Sequence, residues 1–178
     1  MSVVIPAALL LTLSVLGLHP AVLTSRVNWH QLPPNIRTTA DLRPIIVDLL
    51  ARSPTLRQQC ARIAIANKTW VSVSISVARF PSLARARSTA RRYRTGLLVI
   101  DVEIPPASRD FPELLAHELE HVTEFIDGVD FKKAARSRNA GIEQCGSDGS
   151  FETERAQKAG RRAKFEVETA SDASAPPR

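Results

Sequence analysis

Residues 111–122 read Phe-Pro-Glu-Leu-Leu-Ala-His-Glu-Leu-Glu-His-Val and contain the pattern H-E-x-x-H. Proline suits the first turn of a helix, and the leucines recur at helical spacing, so this run predicts an amphipathic helix. On that helix His117 and His121 are one turn apart and share a face. Two imidazoles so placed can hold one zinc ion, and a glutamate between them can activate water. We therefore expect a Zn²⁺ site with His117 and His121 as ligands and Glu118 as the catalytic base.

The competing interpretation is an amphipathic helix that carries two histidines by chance. The chain has only 4 histidines, so the motif would arise by accident in roughly one such sequence in a hundred at average residue usage. A helical wheel puts His117 and His121 at the border of the apolar face and Glu118 inside it. A carboxylate buried there is costly unless it is paired or has a role in proton transfer. The wheel therefore favours the metal site.

A catalytic zinc usually has three protein ligands, and no histidine follows His121. The third ligand must then be a carboxylate. Asp127 is about 120° round the helix from His121 and would reach the ion only if the helix broke first. Glu124 is close to the histidine face, but we interpret it as a surface charge, and the wheel predicts that Glu120 faces solvent.

A last helix is predicted from about residue 151 to 167, with Ser150 as its cap. On this helix Glu152 lies above small residues that would let another helix approach, namely Ala156, Ala159, Gly160 and Ala163. Glu154 instead lies above Lys158, at the spacing of a solvent-exposed ion pair. Glu152 is therefore the predicted third ligand, and Glu154 is the alternative.

The N-terminal residues predict export. Residues 3–18 are apolar and uncharged, which is typical of the core of a signal peptide. Extended to residue 23, the run is also long enough to anchor the chain in a bilayer. We expect a periplasmic or secreted protein, or one that is membrane-anchored by residues 3–23.

The 178 residues, 44 % of them hydrophobic, fit one globular domain with terminal extensions. The predicted division is a signal peptide or anchor over 1–24, a linker over 25–40, the folded domain over 41–168 and a disordered tail over 169–178. Within the domain, helical patterns fill residues 41–66 with a break at Ser53-Pro54.

Two stretches, residues 71–77 and 96–104, alternate apolar and polar residues and predict the strands of a small antiparallel sheet. The first strand is expected to bind an extended peptide along its edge. The basic segment between the strands is predicted to be a solvated hairpin loop or, alternatively, a contact for an anionic surface. Its arginines are Arg85, Arg87, Arg91, Arg92 and Arg94. No ladder of aromatic residues accompanies them, so nucleic-acid binding is not expected.

Cys60 and Cys145 are the only cysteines. They could form one disulfide in an oxidising compartment, or they could be two unrelated thiols.

The H-E-x-x-H run, followed by residues 151–156 (Phe-Glu-Thr-Glu-Arg-Ala), resembles the gluzincin group of zinc metallopeptidases. Within it, the chain is similar to small exported bacterial proteins with a minimal H-E-x-x-H domain, most of them uncharacterised. The likeness covers residues 40–166. It implies an α+β zincin-like domain with N-terminal helices, a small antiparallel sheet, the H-E-x-x-H helix and a C-terminal helix that bears a glutamate.

The resemblance implies His117, His121 and Glu152 as zinc ligands and Glu118 as the general base. The expected function is an exported zinc-dependent metallopeptidase that hydrolyses peptide bonds in peptide or protein substrates. The alternative is a non-catalytic module that retains the zinc site for metal binding or for contacts in the cell envelope.

Overall fold

The computed structural model describes residues 31–76, 86–106, 110–137, 141–145 and 150–173. These residues form five helices and six strands, which confirms the predicted α+β class. In chain order the elements are β1 (Ile36–Thr38), α1 (Leu42–Arg52), α2 (Pro54–Ile65), β2 (Thr69–Ile75), β3 (Arg87–Arg92), β4 (Leu98–Ile104), α3 (Phe111–Ile126), α4 (Phe131–Ala134), β5 (Ile142–Cys145), β6 (Ser150–Thr153) and α5 (Glu154–Ala173).

The predicted signal peptide or anchor lies outside the described residues, as does Arg85. None of the described helices combines the length and the apolar character that crossing a membrane requires. The short strand β1 lies within the predicted linker and pairs with β2.

The two N-terminal helices separate where the sequence predicted a break. Ser53 ends α1 and caps α2, because its side chain accepts a hydrogen bond of 3.2 Å from the backbone N–H of Leu56. Glu166, far along α5, reinforces this cap. Its carboxylate accepts hydrogen bonds from the Ser53 hydroxyl at 2.6 Å and from the Thr55 backbone N–H at 2.9 Å. The last helix therefore helps to hold the junction between the first two.

The four-stranded sheet has the order β1-β2-β4-β3. The predicted strands exist, but the prediction of an antiparallel sheet is wrong for the central pair, because β2 and β4 run parallel. β3, the next strand along the chain after β2, lies on the far side of β4. It leads into β4 through a turn in which Gly96 has φ of +80°. Part of the predicted basic loop is therefore the antiparallel partner of β4. Alternation reveals which side chains share a face of the sheet but carries no information on strand direction.

The position of β2 limits a second expectation. β2 pairs with β4 along its whole length on one side, and on the other side β1 covers residues 71–73, so only the two ends of that second edge are without a strand partner. Among the described strands, β3 pairs only with β4 and lies at the edge of the sheet. The peptide contact that was predicted for residues 71–77 could therefore use only the part of β2 that β1 leaves uncovered, whereas β3 offers a longer edge.

Helices cover one face of the sheet. The buried side chains of β4 are those predicted from its alternation, namely Leu98, Ile100, Val102 and Ile104. They join a single core with the apolar faces of α1, α2 and α3. The other face carries charges, where Arg87 pairs with Glu103 and Arg91 with Asp101.

The helices α3 and α5 pack closely along each other. A Cβ atom added at Gly160 would lie 2.9 Å from the carbonyl oxygen of Glu113 and 3.3 Å from Cβ of His117. The small residues of α5 thus bring it against the H-E-x-x-H helix, as the sequence predicted. α3 ends at Ile126, two residues before Gly128, and that glycine has φ of +74°. α5 continues to Ala173, through residues that were predicted to be a disordered tail.

The cysteines are not joined to each other. Cys60 lies in the core with 1 % of its surface exposed, whereas Cys145 is exposed on β5. Burial raises the pKa of the Cys60 thiol to about 12. The Cys60 side chain therefore acts as a small apolar core residue.

Candidate metal centre

Three side chains predicted as ligands converge on one point. His117, His121 and Glu152 each offer a ligand atom, and these atoms lie within 4.8 Å of one another. Nε2 of His117 lies 3.2 Å from Oε1 of Glu152. Zinc bonds of 2.0–2.1 Å in tetrahedral geometry place two ligand atoms about 3.3 Å apart. The separation suits a direct hydrogen bond or a shared ion.

Glu152 reaches this point from an element that the sequence did not predict. It lies on β6 and pairs with Glu143 of β5 across a two-stranded ribbon, whereas the sequence placed it in the first turn of the last helix. That helix begins two residues later, at Glu154. Glu154 itself is exposed and pairs with Lys158, one turn further along. Among the described residues, Glu152 and not Glu154 joins the two histidines.

Glu124 is not the surface charge that the sequence suggested. Its side chain is buried, with 3 % of its surface exposed, and Oε2 lies 2.8 Å from Nδ1 of His121. A carboxylate at this distance favours the proton on Nδ1 and leaves Nε2 of His121 free to bind a metal. Glu124 therefore fixes both the tautomer and the orientation of one ligand.

Glu118 is buried beside the two histidines, and only 4 % of its surface is exposed. The hydroxyl of Ser88, on β3, donates a hydrogen bond of 2.6 Å to Oε2 of Glu118. One carboxylate oxygen is thus held by the edge strand. In this way β3 contributes to the site although the sequence placed Ser88 in a solvated loop.

Burial, hydrogen bonds and nearby charges shift the pKa values of Glu118, Glu152 and His121. Burial raises the pKa of Glu118, and burial also raises the pKa of Glu152. Burial alone would lower the pKa of His121, but the hydrogen bond to Glu124 and the nearby carboxylates raise it overall. The raised pKa of His121 reflects the carboxylates that surround it, and carboxylates grouped with imidazoles are the ligands that a divalent transition metal binds.

A second set of contacts flanks the site. The wheel predicted that Glu120 faces solvent, but it is buried, with 9 % of its surface exposed, and it pairs with Arg155 of α5. Asp127 pairs with Arg155 and with Arg62 of α2. Glu120 and Asp127 are therefore paired with arginines and do not join the candidate metal-binding group.

An aromatic cluster supports the site from the other side. The ring of Phe131, on α4, lies 6.1 Å from the imidazole of His121 and 5.0 Å from the ring of Phe125. Phe151, directly before Glu152, stacks on Phe131 with ring centroids 5.7 Å apart. These contacts hold β6 against the end of α3.

The donor set fits zinc. Two imidazole nitrogens and one carboxylate oxygen are the ligands of many catalytic zinc sites, in which the fourth position is left to water. The carboxylate of Glu124 behind His121 supplies the outer contact that such sites usually have. The geometry therefore suits zinc and the other divalent transition metals that imidazole and carboxylate ligands bind.

Sequence reasoning missed Glu124 and Ser88 as members of the site. The signal for Glu124 was its spacing, since residues three apart on a helix are neighbours and a carboxylate can reach the preceding imidazole. The signal for Ser88 was weaker: small residues alternate with larger ones at 88 and 90 within the basic segment. That alternation is compatible with a strand whose inner face approaches a helix.

No family model, curated protein or solved structure matches this chain. Its function must therefore be inferred from the geometry of His117, His121 and Glu152 and from the buried Glu118 beside them.

Proposed function

We propose that this chain is an exported zinc-dependent metallopeptidase of the gluzincin type. The observation that carries the proposal is the arrangement of a buried carboxylate, Glu118, next to three converging donors, His117, His121 and Glu152. Zinc and export were inferred from the motif and from the apolar N-terminal run.

A zinc ion bound by these donors would act as a Lewis acid that polarises the scissile carbonyl and lowers the pKa of water towards about 7. Glu118 accepts a proton from the attacking water and passes it to the leaving amine. Burial raises the pKa of Glu118, which makes its carboxylate a stronger base than that of an exposed glutamate. Ser88 holds Oε2 and leaves Oε1 to exchange the proton.

The substrate is proposed to be an extended peptide that adds to the edge strand. β3 lies directly beside α3, as the contact between Ser88 and Glu118 shows. A peptide hydrogen-bonded to the outer edge of β3 would run past the base, and backbone hydrogen bonds would hold it regardless of most side chains.

The anionic contact predicted for the basic segment remains a prediction. In the described part of that segment, Arg87 and Arg91 pair with acids of β4, and Arg92 donates a hydrogen bond of 3.1 Å to the carbonyl oxygen of Phe125. These three arginines of β3 therefore already have partners within the fold, which an anionic surface would have to replace or share.

The test compares Glu118→Gln with the wild type in zinc content and in cleavage of a broad peptide library. Glutamine keeps the size of the side chain but cannot accept the proton, so turnover should be lost while about one zinc per chain is retained. Glu154→Gln is the matched control, because Glu154 is an exposed acid on the neighbouring element, and it should behave as the wild type. Unchanged turnover in Glu118→Gln would reject the assigned base.

A second candidate is a module that binds zinc without proteolysis. Peptidases usually provide a further hydrogen-bond donor to the negative charge that develops on the scissile carbonyl. The only tyrosine of the chain, Tyr93, lies in the turn between β3 and β4, and the described residues contain no histidine besides the two ligands. This candidate predicts stoichiometric zinc and no cleavage of any peptide in the library.

A further inference from the structure

The third donor needs support that its own strand cannot give. Glu152 lies on β6, and β5 and β6 form a two-stranded ribbon. A ribbon of this size is at best marginally stable alone. The N–H of Thr153 orients the carboxylate by donating a hydrogen bond of 2.9 Å to Oε1 of Glu152. The position of the ribbon must then be fixed by contacts from outside it, and the stacking of Phe151 on Phe131 supplies one of them on the side that precedes Glu152.

Arg155, three residues after Glu152, makes the contacts on the other side. Its guanidinium reaches two side chains of α3 and that of Asp127, the C-cap of the same helix. Nε donates to Oε1 of Glu120, Nη2 donates to Oγ1 of Thr123 at 2.9 Å, and Nη1 donates to Oδ2 of Asp127 at 3.0 Å. The planar, forked shape of an arginine side chain suits such a multiple contact, and a lysine could satisfy only part of it.

The acceptors of Arg155 are themselves held. The side-chain amide of Gln59, on α2, donates to Oε2 of Glu120 at 2.7 Å and to the carbonyl oxygen of Ala116 at 2.8 Å. The Thr123 hydroxyl donates to the carbonyl oxygen of Glu120 at 2.9 Å. Both Glu120 and Thr123 are buried, so Arg155 is attached to a rigid part of α3.

The short connection between Arg155 and Glu152 is also fixed. Oγ1 of Thr153 accepts a hydrogen bond of 3.0 Å from the N–H of Ala156 and so caps α5. The N–H of Glu154 donates to the carbonyl oxygen of Gly141 at 2.8 Å. Because these hydrogen bonds hold the two intervening residues, a displacement of Arg155 would also move Glu152.

We propose that Arg155 is the positioning residue for the metal-binding carboxylate. It fastens the first turn of α5 to α3 and so places Glu152 opposite His117 and His121, which come from α3 itself. This role rests on the proposed metal site. Arg155 touches no ligand atom in the contacts described above and acts on the metal only through Glu152.

The test measures the zinc affinity of the full chain by competition with a chromophoric chelator. Arg155→Gln should bind zinc about 10- to 100-fold more weakly than the wild type, because a displaced Glu152 is a weakened ligand and lost support of a ligand costs about this much. Lys158→Gln is the matched control, because Lys158 is an exposed basic residue on the next turn of α5, and its affinity should equal that of the wild type. Arg155→Lys keeps the charge but not the fork, so it should be weakened about 10-fold; it decides the question if Arg155→Gln does not fold.

A double-mutant cycle separates positioning from a general effect on the fold. If Arg155 acts through Glu152, then Arg155→Gln should weaken binding further by little or nothing once Glu152→Gln is present. Full additivity of the two losses, or wild-type affinity in Arg155→Lys and Arg155→Gln, would overturn the proposal. A wild type that binds no zinc is a different outcome, since it rejects the metal site on which the proposal rests.

Discussion

Replacing Glu124, whose carboxylate contacts Nδ1 of His121, should weaken metal binding although Glu124 is not one of the three proposed ligands. Glu124 is buried and lies 2.8 Å from Nδ1 of His121. In Glu124→Leu the imidazole loses this acceptor and can turn or adopt the other tautomer. A hydrogen bond with a charged partner contributes about 1.5–3 kcal/mol, and outer contacts of metal sites are worth about 10- to 100-fold in affinity. Since tenfold corresponds to about 1.4 kcal/mol, the two estimates agree.

The prediction is therefore that Glu124→Leu raises the dissociation constant for zinc by about 10- to 100-fold. Glu124→Gln should be affected less, because its amide oxygen can still accept the proton of Nδ1. The assay is a competition titration with a chromophoric chelator at constant pH and ionic strength. Glu154→Gln serves as the control, since Glu154 is exposed and pairs with Lys158. Wild-type affinity in Glu124→Leu would show that the carboxylate does not orient His121.

Three further predictions concern other parts of the molecule. Ser88→Ala should lower turnover of a cleaved peptide while leaving zinc content unchanged, because Ser88 holds Glu118 and no ligand; equal turnover would remove Ser88 from the site. Gly160→Ala should lower the free energy of unfolding in a urea titration, since the added Cβ meets a backbone oxygen at 2.9 Å; overpacking costs about 1–3 kcal/mol, more than the gain of about 1 kcal/mol in helix propensity. Hydrogen bonds lower the pKa of Glu166 although its burial opposes this, so its contribution to stability is complete above the unfolded value near 4.5 and is lost as the pH falls through the lower folded value. Glu166→Gln should accordingly flatten the acid limb of stability against pH, and an unchanged slope would contradict the assigned pKa.

The sequence predicted the helix of the site and its partner because both depend on local patterns. H-E-x-x-H has a meaning only on a helix, and the small residues near Gly160 marked a surface where another helix could approach. The structure brings that surface against Glu113 and His117. Residue spacing within a single helix was sufficient for these inferences.

The burial of Glu120 and Glu124 could not be read from the same helix. A wheel divides a helix into one apolar and one polar face, and both acids fell on or near the polar one. In the structure α3 is enclosed on several sides, by α2, α5 and the sheet, and every residue from 118 to 124 is buried. Arg155 reaches Glu120 through tertiary packing, whereas His121 and Glu124 meet because they are three residues apart on one helix.

The order of the strands was also beyond the reach of local patterns. β2 and β4 were found by their alternation, but their direction depends on where the chain travels between them. The intervening strand β3 is rich in arginine and exposes much of its surface, so its composition resembled a loop. The sequence predicted that Glu152 would approach the two histidines, and it does. It assigned Glu152 to the wrong element, because a strand of four residues leaves little periodicity to detect.

The central claim is that two imidazoles of α3 and the carboxylate of Glu152 bind one zinc ion, and metal analysis of the purified full chain tests it most directly. After zinc loading and exhaustive dialysis, the wild type should retain about one zinc per chain, the ratio set by a single three-ligand site. His117→Ala and Glu152→Ala should retain much less under the same dialysis. A wild type without zinc, or a His117→Ala variant with as much zinc as the wild type, would contradict the proposed site.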